Sequence, residues 1–161
     1  MKSLLAAFLF ACLAAPAWVH AEAAADAKSR IAAARVDYER ARKAIDKMDW
    51  KGAISALESA AAHDPLDPEF QNLLGFSHRN AGNMDAAFRH YARALELNPY
   101  HRPAHEYIGR AYLMVDKPEK AVEHLKFLER NCPDGCRERE LLKKAIDEYP
   151  WPSQPRMTRS Y

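Results

Sequence analysis

The sequence predicts an all-α stack of three helical hairpins closed by a further helix, and three observations carry that prediction. Pro65, Pro99 and Pro133 recur at a 34-residue period, with no insertion or deletion between them. Registered on those prolines, further columns align: Ala53, Ala87 and Ala121; Leu57, Tyr91 and Leu125; Ala41, Gly75 and Gly109; Arg40, Leu74 and Ile108. Residues that break or start helices also fall where hairpins require them. Gly82 can take a left-handed turn conformation, and Asp67-Pro68-Glu69 reads as a cap, a first-turn proline and a favourable negative charge.

These signals place helices near 26–47, 50–62, 68–81, 84–97, 102–114 and 118–130. The alanine-rich stretch after Ala21 extends the first helix at its inner end and frays at its outer end. The small residue on the first helix of each pair (Ala41, Gly75, Gly109) and the alanine on the second (Ala53, Ala87, Ala121) let the backbones approach closely. No pair can bury its apolar face alone, so neighbours must stack and the last pair needs a cover. A helix over 137–149 supplies one: Leu141, Leu142, Ala145, Ile146 and Tyr149 recur at helical spacing, with Arg, Glu and Lys on the remaining face.

A 34-residue unit with a small residue, an alanine twelve residues later, a large apolar residue four after that and a closing proline resembles the tetratricopeptide repeat. The repeats are 34–67, 68–101 and 102–135, the second being the best copy, with Leu74-Gly75, Ala87, Tyr91, Ala94 and Asn98-Pro99. Departures occur as well. The aromatic expected three residues after the Leu-Gly pair is present only as Tyr112, replaced by His78 and Ala44 elsewhere, and the alanine seen as Ala60 and Ala94 becomes Leu128. The resemblance implies a right-handed α-solenoid whose first helices line a concave, peptide-binding groove. The implied lining is Arg35, Tyr38 and Arg42 in the first repeat, Asn72, Phe76, Arg79 and Asn80 in the second, and Glu106, Arg110 and Leu113 in the third. That set leans basic. Arginines can fork onto carboxylates, asparagine can hold a backbone amide, and Phe76 and Tyr38 can cover apolar side chains. The expected partner is an extended protein segment carrying an acidic group.

The ends of the chain have a different character. Residues 1–21 read as a cleavable leader: Lys2 gives the positive start, Leu4 to Leu13 is an uncharged apolar run too short to span a bilayer, and Val19-His20-Ala21 is an A-x-A-like cleavage site. Cleavage after Ala21 would deliver a periplasmic or secreted protein with about 140 residues, enough for one domain. An uncleaved anchor is one alternative. Lipid attachment at Cys12 is another, although Phe10 is bulky at that motif and the apolar run would be truncated. With 24 Lys and Arg against 22 Asp and Glu, interspersed, there is no bulk signature of nucleic-acid binding. The repeat domain covers 22–149. Residues 150–161 form a tail in which Pro150, Pro152 and Pro155 forbid a continuing helix and favour extended chain, either a loose terminus or a docking peptide.

Cys132 and Cys136 flank the turn-forming Pro-Asp-Gly between the third repeat and the closing helix. In an oxidising compartment the pair is expected to form a disulfide, worth roughly 2 kcal/mol for so small a loop and serving mainly to fix the cap. A redox-active pair, with a thiol activated by the helix start beside Cys136, and a metal site completed by scattered histidines are the alternatives. No Gly-rich phosphate loop, nucleophile elbow or H-E-x-x-H run is present. The expectation is therefore a non-catalytic adaptor without cofactor or metal that helps assemble envelope complexes; the alternative is a redox or metal-handling accessory.

Overall fold

The second and third hairpins start where a side chain replaces a missing helical hydrogen bond. The computed structural model describes residues 17–151, with side chains from residue 24 onward. Its seven helices are α1 (Ala17–Asp46), α2 (Trp50–His63), α3 (Pro68–Asn80), α4 (Met84–Leu97), α5 (Arg102–Met114), α6 (Pro118–Asn131) and α7 (Arg137–Asp147). Asp67 Oδ1 accepts the Glu69 N–H at 2.8 Å, and one period later His101 Nδ1 accepts the Ala104 N–H at 3.2 Å. Asp49 and Asn83 cap the second helices of the first two hairpins in the same way. Pro68, Pro103 and Pro118 occupy the first turns of α3, α5 and α6, where a missing N–H leaves no bond unmade.

From α2 to α6 the helices begin and end within one residue of the sequence expectation. α1 differs: it starts at Ala17, because the alanine-rich stretch is a strong helix former. Its first residues belong to the expected leader, whose remainder, 1–16, lies outside the described residues. α7 ends at Asp147, two residues early, ahead of Pro150, whose ring disfavours helical backbone in the residue before it.

The period also governs the turns. Met48, Gly82 and Asp116, each one repeat apart, all adopt positive φ, at 55°, 83° and 55°. In each turn the following N–H reaches back into the preceding helix: Asp49 to Ala44 O, Asn83 to His78 O and Lys117 to Tyr112 O, all at 2.9 Å. This left-handed closure satisfies orphan carbonyls and suits glycine best. Met48 takes it with a Cβ and a 71% exposed side chain that gains little from packing. Met48→Gly is accordingly expected to raise stability by about 1 kcal/mol, seen as a higher thermal midpoint.

The core is relayed from hairpin to hairpin. Ala41, Ala56, Leu57 and Leu74 join α1 and α2 to α3; Ala87, Tyr91, Ile108 and Ala111 join α4 to α5; Ala121, Leu125, Leu128, Leu142 and Ile146 join α6 to α7. Two small residues permit the closest approaches. A Cβ on Gly75 would meet the Tyr91 ring at 2.6 Å, and one on Gly109 would meet Leu142 at 2.7 Å. Thus α7 docks on α5 through the same column that seats α4 against α3. It closes the stack as a cap.

Candidate functional site

The first helices α1, α3 and α5, together with α7, border a series of clefts along one side of the stack. One cleft of about 380 Å³ lies between α1 and α3 and includes Arg35, Tyr38, Glu39, Asp67, Glu69 and Phe70. A second, of about 250 Å³, lies between α3, α5 and α7 and includes Glu69, Phe76, Tyr107, Arg110, Glu138 and Leu141. A third, of about 280 Å³, is lined by Arg79, Asn80, Arg110, Leu113, Met114 and Ala145. Arg42 adjoins the first, its guanidinium 6.0 Å from the Tyr38 ring centre. Arg35, Tyr38, Phe76, Asn80, Arg110 and Leu113 therefore face shared open space.

Asn72, Arg79 and Glu106 differ, because packing turns them inward. Asn72 is fully buried; its Nδ2 donates to Glu69 Oε2 at 3.1 Å, an oxygen that also lies 3.2 Å from His101 Nε2. Arg79 is 7% exposed. Its guanidinium stacks over Phe76 and Tyr107 at 5.3 and 5.7 Å and donates to the Tyr107 carbonyl at 3.3 Å. Glu106 accepts from Arg110 Nη1 at 3.1 Å; burial raises its pKa, and Arg110 opposes that rise. Asn72 lies beneath the surface, whereas Arg79 and Glu106, though largely buried, still border the third and second clefts.

The charge balance of the first two clefts differs from the basic lining expected, whereas the third holds Arg79 and Arg110 and no acid. Glu39, Asp64, Asp67 and Glu69 border the first cleft against Arg35 alone. Glu69, Glu106 and Glu138 border the second against Arg110 and Arg137. Glu39 and Glu106 lie within α1 and α5 and Asp64 follows α2, whereas three of these acids arise from helix starts: Asp67 caps α3, Glu69 is in its first turn and Glu138 is in the first turn of α7. Favourable contact with the helix dipole selects acids there, and those helix ends open onto the groove.

Sequence reasoning missed Glu69, Tyr107, Glu138 and Leu141 as lining residues. The period itself held a signal for some of them. Glu69, Pro103 and Arg137 are one repeat apart, as are Tyr107 and Leu141, so continuing the 34-residue register into α7 identifies the cap as a wall of the groove.

Between α5 and α6 two histidines meet. His105 Nε2 lies 3.0 Å from the Pro99 carbonyl and His105 Nδ1 lies 2.9 Å from His124 Nδ1. A carbonyl only accepts, so His105 carries its proton on Nε2 and its Nδ1 accepts from His124 Nδ1–H. Both rings are neutral in this arrangement, and His105 stacks on Phe127 at 3.7 Å. Burial lowers both pKa values, with the neighbouring imidazole adding to the effect at His124, which falls to about 4. Between pH 6.5 and 4 the unfolded chain binds a proton that the folded His124 refuses, so the contribution is complete above that window and is lost as pH falls through it. The expected acid loss is about 2–3 kcal/mol by pH 4. Chemical denaturation of the protein and of His124→Gln at several pH values measures it, and the variant should show a shallower decline.

At the junction before α7, the Cys132 and Cys136 sulfurs stand at bonding distance, 2.07 Å, with Cα atoms 6.0 Å apart. Arg139 ties this loop to the cap by donating to the Cys132 and Pro133 carbonyls at 3.1 and 3.0 Å. Tyr149 OH donates to Asp116 at 2.8 Å, and Trp151 Nε1 donates to the Ile146 carbonyl at 3.2 Å. The tail beyond, 152–161, lies outside the described residues. Among the described residues no three His, Cys, Asp or Glu side chains converge as a metal site, and no helix is long and apolar enough to cross a membrane.

Residues 38–102 match the family model described as "Tetratricopeptide repeat". Among solved structures, the Arabidopsis OM64 TPR domain aligns with a TM-score of 0.66 at 13% identity, over 73% of this chain and 97% of that one. At such identity the likeness speaks for the fold alone. No curated protein matches the sequence.

Proposed function

We propose, from the premise that this chain is a tetratricopeptide-repeat protein, that it is a non-catalytic adaptor holding an extended segment of another protein in the groove bordered by α1, α3, α5 and α7. One observation carries the reading: three adjoining clefts, walled by successive first helices and by the cap, combine apolar surfaces, aromatic in two of them and aliphatic in the third, with charged groups. An extended chain can lay its backbone along such a trough and place side chains in successive clefts. The leader-like residues 1–21 support export to the periplasm or beyond, and with it a role in assembling or organising envelope complexes.

The test uses blocking rather than truncation. Arg42 and Asn80 are exposed beside the groove, whereas Arg79 is a buried packing element unsuited to the purpose. In affinity capture, Arg42→Trp with Asn80→Trp is expected to lose at least about tenfold of the specifically bound partner, roughly 1.4 kcal/mol, while retaining wild-type helicity. Unchanged capture by the folded variant would contradict a groove-bound partner. For the compartment, amino-terminal sequencing of the exported protein should begin at Glu22.

A further inference from the structure

We infer that the segment taken by this groove is cationic, with Arg or Lys beside an aromatic or aliphatic residue. The inference rests on the groove reading above and specifies its partner's chemistry. In the first cleft four carboxylates, with Glu39 and Glu69 among them, face Arg35 as the one cation in the lining. In the second, Glu69 and Glu138 face Arg137, while Arg110 is already engaged by the buried Glu106. Arg79 is mostly buried against Phe76 and Tyr107 and donates to a backbone carbonyl; with Arg110 it lines the third cleft, which holds no acid, so the cationic assignment applies to the first two clefts. An acidic partner would have to displace or outcompete those carboxylates. A basic one gains from them, and the field of a walled trough acts over roughly 8–10 Å at physiological salt.

The apolar surfaces specify the remainder. Tyr38 and Phe70 lie against each other at 5.5 Å between ring centres, and Phe76 and Tyr107 at 5.1 Å. Each pair borders a cleft that also presents Glu69. An arginine or lysine places its methylene stem on such rings while its head reaches a carboxylate, so one side chain uses both halves of the site. Glu69 lies between the two clefts and is positioned by Asn72 and His101. The geometry thus suits two cationic side chains on one extended segment, one in each cleft.

Selection of random decapeptides displayed on phage against the purified protein tests this directly. The expected result is enrichment of Arg and Lys next to aromatic or aliphatic residues, with binding that weakens as salt is raised. A folded Glu39→Lys, Glu138→Gln variant should bind the selected peptides at least about tenfold more weakly. Enrichment of acidic peptides whose binding is lost in Arg42→Trp with Asn80→Trp would overturn the cationic assignment and leave the groove standing. Absence of any peptide sensitive to that block would overturn both.

Discussion

Tyr91→Ala is expected to lower the free energy of unfolding by about 3–5 kcal/mol, the largest single loss anticipated in the chain. Tyr91 is the largest of the fully buried side chains, and it packs with Ala87, Ile108 and Ala111 where α4 meets α5. Its ring fills the space that Gly75 leaves open, where an added Cβ would lie 2.6 Å from ring carbons. Truncation therefore opens a cavity bordered on one side by backbone, which collapses poorly. Tyr91→Phe separates packing from polarity. The hydroxyl is buried without a protein partner, and burial raises the phenol's pKa. Removing the hydroxyl while keeping the ring should be neutral or gain up to about 1 kcal/mol. Equilibrium urea denaturation of the two variants beside wild type measures both effects.

Leu142→Ala is expected to lose about 2–5 kcal/mol and to weaken partner binding as well. Leu142 is fully buried among Leu125, Leu128 and Ile146 and sits against Gly109. Deleting it removes the main apolar contact between α7 and α5. The same helix carries Arg137, Glu138 and Leu141 into the second cleft, so loosening the cap also disorders a wall of the groove. Hydrogen exchange should show the loss concentrated in α5 to α7, with α1 to α3 protected as before. This local pattern is characteristic of stacked repeats, in which each unit contacts only its neighbours. Uniform loss of protection would argue for one cooperative unit instead.

Much of this architecture was legible because the period repeats local chemistry as well as residue type. Asp67 and His101 cap successive first helices, and Gly82 marks a turn whose counterparts follow at the same register. The identities of Met48 and Asp116 gave no hint of left-handed backbone, and only Gly82 reads that way, although all three stand one repeat apart. The groove was only partly legible. Helical spacing assigns residues to a face, but depth depends on tertiary packing, which buries Asn72, Arg79 and Glu106 and sets Arg79 against Tyr107 of α5. The sign of the groove was hidden for a related reason. Acids such as Asp67, Glu69 and Glu138 read as helix-start residues, and the fold makes those helix starts part of the cleft walls. The histidine pair was invisible to spacing, because His105 and His124 belong to different helices and meet only when the hairpin closes.

The central claim is that a partner's chain lies in the trough rather than against the outer helices. Site-specific photo-crosslinking addresses it most directly, with a photoreactive phenylalanine analogue placed at Asn80, beside the third cleft, or at Arg93, exposed on α4. Cross-linking of a discrete partner from position 80 and none from position 93 is the predicted result. Cross-linking from position 93 with none from position 80 would contradict it and move the binding surface to the second helices.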